Sequence, residues 1–163
     1  MSLTARMVAR VAGMALLAAA PMVIAQAPTG SPGPASPWVT RDDVMILPAK
    51  DNGQLAIVAY VAPANHQVVF GFRELPQRMN CAPSAVGKGR LYEIEGKRVP
   101  FRNECVGGTF TFVPDGMPAT NSFDTLLGST STLHVLTPSK FPYTFDVGSL
   151  AAVRSKLEAG AAK

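Results

Sequence analysis

The chain has 163 residues, of which 47% are hydrophobic and 16% charged, with a formal net charge of +4 and two cysteines. That length and balance describe one globular unit and exclude a multidomain enzyme or a disordered, solvating chain. No run of eighteen or more apolar residues occurs, which excludes a helical membrane bundle.

Arg6 and Arg10 precede an apolar run, Val11 to Ala25, broken only by Gly13 and Pro21. Fifteen residues are too few to span a bilayer comfortably, and the ending Val23-Ile24-Ala25-Gln26 suits signal peptidase cleavage after Ala25. Residues 1–25 are therefore expected to be a signal peptide. No cysteine follows the run, so no lipid anchor is expected, and the destination is the periplasm or exterior of a Gram-negative bacterium, without stable membrane insertion after cleavage. Removal of residues 1–25 leaves 138 residues and, with two arginines gone, a net charge of +2. A chain of that size buries roughly two-thirds of its unfolded surface. Residues 26–37 hold four Pro and two Gly with no large apolar side chain, the composition of a linker. A single domain is expected over residues 38–160.

From Trp38 the pattern is strand-like. Val44 to Leu47 stops at Pro48, and Asn52-Gly53 marks a bend into Gln54 to Ala62. Leu55 to Val61 is apolar on both alternating faces, which predicts a strand covered on both sides. Gln67 to Phe72 resumes the β-branched and aromatic composition.

Cys81 and Cys105 lie 24 apart and, in an exported chain, are expected to pair. Closing a loop of that length contributes about 3.5 kcal/mol in the chain-entropy picture. Within the loop, Arg90 to Arg102 reads as a hairpin turning at Glu95-Gly96, with Tyr92 opposite Val99 and Glu93 opposite Arg98 as an ion pair. Pro100 predicts an edge strand. Seven cations against three glutamates between residues 73 and 102 give a local balance of +4. Arg90, Lys97, Arg98 and Arg102 are therefore the candidate binding residues for a protein or an anionic envelope component, with protection of a sheet edge as the competing explanation. No nucleic-acid-binding module is recognisable, so nucleic acid is not an expected partner.

After Gly107-Gly108, Thr109 to Val113 alternates cleanly and stops at Pro114-Asp115-Gly116. Ser122 to Gly128 predicts a short helix, Thr132 to Leu136 and Phe141 to Val147 two strands, and Ser149 the cap of a helix with Leu150, Val153 and Leu157 as its apolar stripe and Arg154, Lys156 and Glu158 turned to water. The predicted class is mainly β: an antiparallel β-sandwich with one short internal helix and a C-terminal helix.

The C-terminal order, a short helix ending in a small residue, a strand to Thr137, a strand Tyr143 to Val147 and a closing Ser-Leu-Ala-Ala-Val-Arg-x-Lys-Leu helix, resembles the invasion-associated locus B family. The resemblance spans about residues 120 to 160. It implies an exported bacterial β-sandwich with an envelope or virulence-associated role and no established catalytic mechanism; no functional residue is carried over.

Catalysis has few candidates. His66 and His134 lie in different segments, no Gly-x-Ser-x-Gly or His-x-x-x-His spacing occurs, and the cysteines lack metal-site or redox spacing. His134 with Asp146 is the one conceivable dyad. The reading is a noncatalytic exported binding protein without cofactor or metal; an inhibitor or immunity-type protein acting on an envelope hydrolase, or a small periplasmic hydrolase, are the alternatives.

Overall fold

The computed structural model describes residues 37–41, 43–76, 80–82 and 87–161, the side chain of Lys88 excepted. The expected signal peptide and all of the expected linker but Pro37 lie outside the described residues. In chain order the elements are β1 (Val39–Arg41), β2 (Val44–Pro48), β3 (Leu55–Val61), β4 (Val68–Glu74), β5 (Gly87–Ile94), β6 (Lys97–Val106), β7 (Thr109–Pro114), α1 (Gly116–Ser129), β8 (Thr132–Leu136), β9 (Pro142–Asp146) and α2 (Leu150–Ala161). The mainly-β antiparallel class is what the chain adopts.

The nine strands form one sheet in the order β1-β2-β3-β4-β7-β6-β5-β8-β9, with every neighbouring pair antiparallel. The β-sandwich expectation supposed two sheets. The seam between β4 and β7 shows how one sheet serves: the strands share a single register pair, Phe72 with Phe112. A side chain at Gly71 would place its Cβ 2.4 Å from the Phe112 carbonyl oxygen, so β7 can cross β4 this closely only because residue 71 is glycine.

Apolar side chains leave the sheet on both faces. The larger core gathers Leu47, Ile57, Phe72, Tyr92, Phe101 and Phe145, and α1 and α2 cover it with Phe123, Leu127, Leu150 and Val153. Phe72 is its hub, with ring centroids 5.0 Å from Tyr92, 5.1 Å from Phe101 and 5.2 Å from Phe123. Such offset and tilted aromatic contacts each add about 0.5–1.5 kcal/mol beyond the area buried. On the opposite face Val44, Ile46, Ala56, Val58, Tyr60 and Val113 form a second cluster. This explains the apolar composition of both faces of β3, which pairs with β2 and β4 and is buried from Leu55 to Tyr60.

The hairpin turns at Glu95-Gly96 with φ of 49° and 76°, the left-handed pair that a two-residue turn between twisted strands requires. Its register is the expected one, Tyr92 opposite Val99 and Glu93 opposite Arg98. The expected Glu93–Arg98 ion pair is replaced: Glu93 meets Lys140 at 3.7 Å.

Other expectations need correction. Pro100 lies in β6, which is flanked by β5 and β7 and is not an edge. Pairing with β7 ends at Phe101–Pro114, so no ladder bond is asked of the missing N–H, while the Pro100 carbonyl accepts the Asp115 N–H at 2.9 Å. The internal helix is not short and does not start at Ser122; it runs 14 residues from Gly116, with Pro118 in its first turn, where no intrahelical N–H bond is required. Strand β1 was not anticipated. Helix α2 uses the expected stripe, but Arg154 turns inward to reach Asp124 of α1 at 3.2 Å and to lie 5.0 Å from the Phe70 ring centroid.

Candidate functional site

The four candidate cations go to different places. Arg90 binds Glu74 at 2.7 Å and lies 4.4 Å from the Phe112 ring centroid. Lys97 and Arg98 are exposed at the hairpin end, where consecutive strand residues face opposite ways. Arg98 shares a shallow recess with Lys140 and Leu91. Arg102 lies on the same face of β6 as Arg98, four residues further along, where it is half-buried, bonded to Glu104 and, at 3.7 Å, paired with Asp115. These residues do not assemble into one basic surface. His134 pairs in register with Thr144 while Asp146 pairs with Thr132 and binds Lys50 at 3.4 Å, so that dyad is not formed. His66 occupies the β3–β4 connection with φ of 56°. Among the described residues no group of three His, Cys, Asp or Glu is placed to hold a metal ion.

The topology instead builds a groove of about 730 Å³ that no local motif announced. One wall is the end of β3 and the connection into β4, including Val61, Ala64 and Val68; the other is the end of β6 with the turn into β7, Cys105 to Gly107, and the start of α1 at Met117. Asp43, in the β1–β2 turn with φ of 60°, stands at the groove, and Met117 is an exposed apolar side chain on its rim.

A chain of polar contacts runs along it. The Tyr60 hydroxyl donates to Glu104 Oε2 at 3.4 Å, Glu104 Oε1 accepts from Arg102 Nη2, and Arg102 Nη1 donates to the Pro114 carbonyl at 3.3 Å and faces Asp115. Tyr60 sits 44 residues before Glu104; the strand order brings their shared face together. Burial, reinforced by the Glu104 carboxylate, pushes the Tyr60 phenol well above its ordinary range, against the opposing charges of Arg102 and Arg73.

Two devices fix the wall. Arg73 is buried on β4 and donates to Thr111 Oγ1 of β7 at 3.0 Å and to the Val106 carbonyl at 3.1 Å. The Cys81–Cys105 disulfide, the pairing expected from sequence, joins the β4–β5 connection to the same turn; the Cys81 N–H donates to the Gly108 carbonyl at 3.0 Å and Asn80 forms a bridge with Thr109. No helix among the described residues is long and apolar enough to cross a membrane.

No family model, no curated protein and no solved structure matches the chain.

Proposed function

We propose that this is an exported protein, periplasmic or secreted, which acts without catalysis by receiving a segment of a partner protein in the groove between β3–β4 and β6–β7. The observation that carries this reading is the groove itself: its volume falls within the usual range of roughly 300–1,000 Å³ for ligand clefts, its walls are largely apolar, and they are preorganised by a disulfide and a buried arginine. A bonded series of polar groups, from Tyr60 through Glu104 and Arg102 to Asp115, runs along it, an arrangement suited to recognition by a fixed surface. The Arg6, Arg10 and Val11–Ala25 pattern and the disulfide support export. The likeness of the C-terminal part to invasion-associated locus B proteins extends the proposal to a virulence-associated setting. Dispersal of Arg90, Lys97, Arg98 and Arg102 favours a protein partner over an anionic glycan or lipid headgroup.

The test is affinity capture from envelope extracts with two variants. Ala64→Trp, at an exposed position on the groove wall, is expected to abolish capture of a specific partner, while charge reversal at Lys97 and Arg98 leaves it intact. Capture lost on charge reversal and kept in Ala64→Trp contradicts the groove and favours the hairpin.

A further inference from the structure

The ionisable side chains around the groove are unevenly compensated. Arg102 is held by Glu104 and Asp115, so its charge is already matched. Asp43 lines the groove, is exposed, and among the described residues has no ion pair or side-chain hydrogen bond. Arg73, behind the wall, is the other cation near Tyr60 and is directed at Thr111 and the Val106 carbonyl. Among the described residues that line it, Asp43 and Glu104 against Arg102 give the groove a formal charge of −1, within a mature chain expected to carry +2. Its walls are aliphatic, with Val61 and Val68 on one side and Met117 at the rim.

We infer that the partner segment taken by the groove is cationic and apolar: a lysine or arginine placed to reach Asp43, next to an aliphatic or aromatic side chain that fills the space between Val61 and Met117. The inference rests on the groove being the binding site and adds the sign of the charge it selects. An arginine or lysine in that position gains a carboxylate partner without breaking the existing Arg102 pairs. An acidic segment would meet the Asp43 carboxylate and be repelled by it.

Two small probes that share an apolar body and differ in charge test this on the full mature chain: phenethylammonium and 3-phenylpropionate, followed by chemical-shift changes in two-dimensional NMR. Fragments of about ten heavy atoms bind in roughly the millimolar range, which the method reads. Phenethylammonium is expected to shift the amides of Val61, Gly107 and Met117 and to bind more tightly than 3-phenylpropionate. Asp43→Asn should weaken it about threefold, the scale of one exposed ion pair, while Asp146→Asn, away from the groove, leaves it unchanged. If both probes shift the groove amides equally, or the anion binds more tightly, the charge preference is overturned and the groove survives. Failure of both probes to shift any groove amide overturns the inference together with the binding site on which it rests.

Discussion

The Asp51 carboxylate accepts the Thr144 N–H at 2.8 Å, and the Lys50 N–H donates to the Thr144 carbonyl at the same distance. The turn between β2 and β3 thereby gives the outer edge of β9 what a further strand would supply. Lys50 also reaches Asp146 at 3.4 Å, and Pro142, two residues from Thr144 along the strand, has no N–H to offer. An otherwise exposed edge is closed by its own chain, which limits pairing with other molecules.

Asp51→Ala should therefore destabilise the fold by about 1 kcal/mol, the worth of one solvent-accessible hydrogen bond to a charged group, and promote concentration-dependent association. Urea unfolding reads the first effect and sedimentation velocity the second. Asp51→Asn keeps an acceptor and should recover part of both.

Gly71→Ala tests the crossing of β4 and β7. Its methyl would meet the Phe112 carbonyl oxygen, a backbone atom that moves only if the seam opens. A loss of about 1–3 kcal/mol is expected from this overpacking, visible as a lower urea midpoint. An unchanged midpoint would mean that the seam is looser than described.

Replacing both cysteines by serine should cost about 3.5 kcal/mol by the loop-closure argument, reduced by whatever structure the β6–β7 turn retains through Arg73 and the Asn80–Thr109 bridge. Thermal unfolding with and without reductant measures it in the wild type, and the double variant should be insensitive to reductant.

Tyr60 and Tyr92 make stability fall in alkaline solution. Burial raises both phenols above the ordinary value of 10.0, reinforced at Tyr60 by Glu104 and opposed at Tyr92 by Arg90. Above about pH 10 the unfolded chain releases these protons while the folded chain keeps them, so stability declines as pH rises from there toward the folded-state values and is unaffected by these groups at lower pH. Tyr60→Phe should flatten that decline in urea titrations between about pH 10 and 11.5, and Tyr60→Phe with Tyr92→Phe should flatten it further.

What could be read from the chain was local or strongly periodic. The two-sided burial of Leu55–Tyr60, the Glu95-Gly96 turn with its register, the Cys81–Cys105 pair and the α2 stripe each rest on a signal within a few residues or on a single available partner. The start of α1 was hidden because Pro114-Asp115-Gly116 and Pro118 look like turn residues, although proline in a first helical turn loses no intrahelical bond. Pro100 misled because the rule about edges concerns a needed N–H, and here β7 ends before one is needed. The groove was illegible for a deeper reason. Tyr60 and Glu104 meet only because β3, β4, β7 and β6 are consecutive in space, an order that no alternation along the chain encodes. Glu104 alternates with Arg102 on one face of β6, the one local hint that an ion pair, and not a free cation, stood there.

Site-specific photocrosslinking in intact cells tests the central claim most directly, with a photoreactive residue placed either at Met117 on the groove rim or at Lys156 on the exposed side of α2. The account predicts a discrete protein adduct outside the cytoplasm from position 117 and none from position 156, with the 117 adduct lost when Ala64→Trp is added. Equal crosslinking from both positions, or an adduct from 117 that persists with the groove plugged, would contradict it.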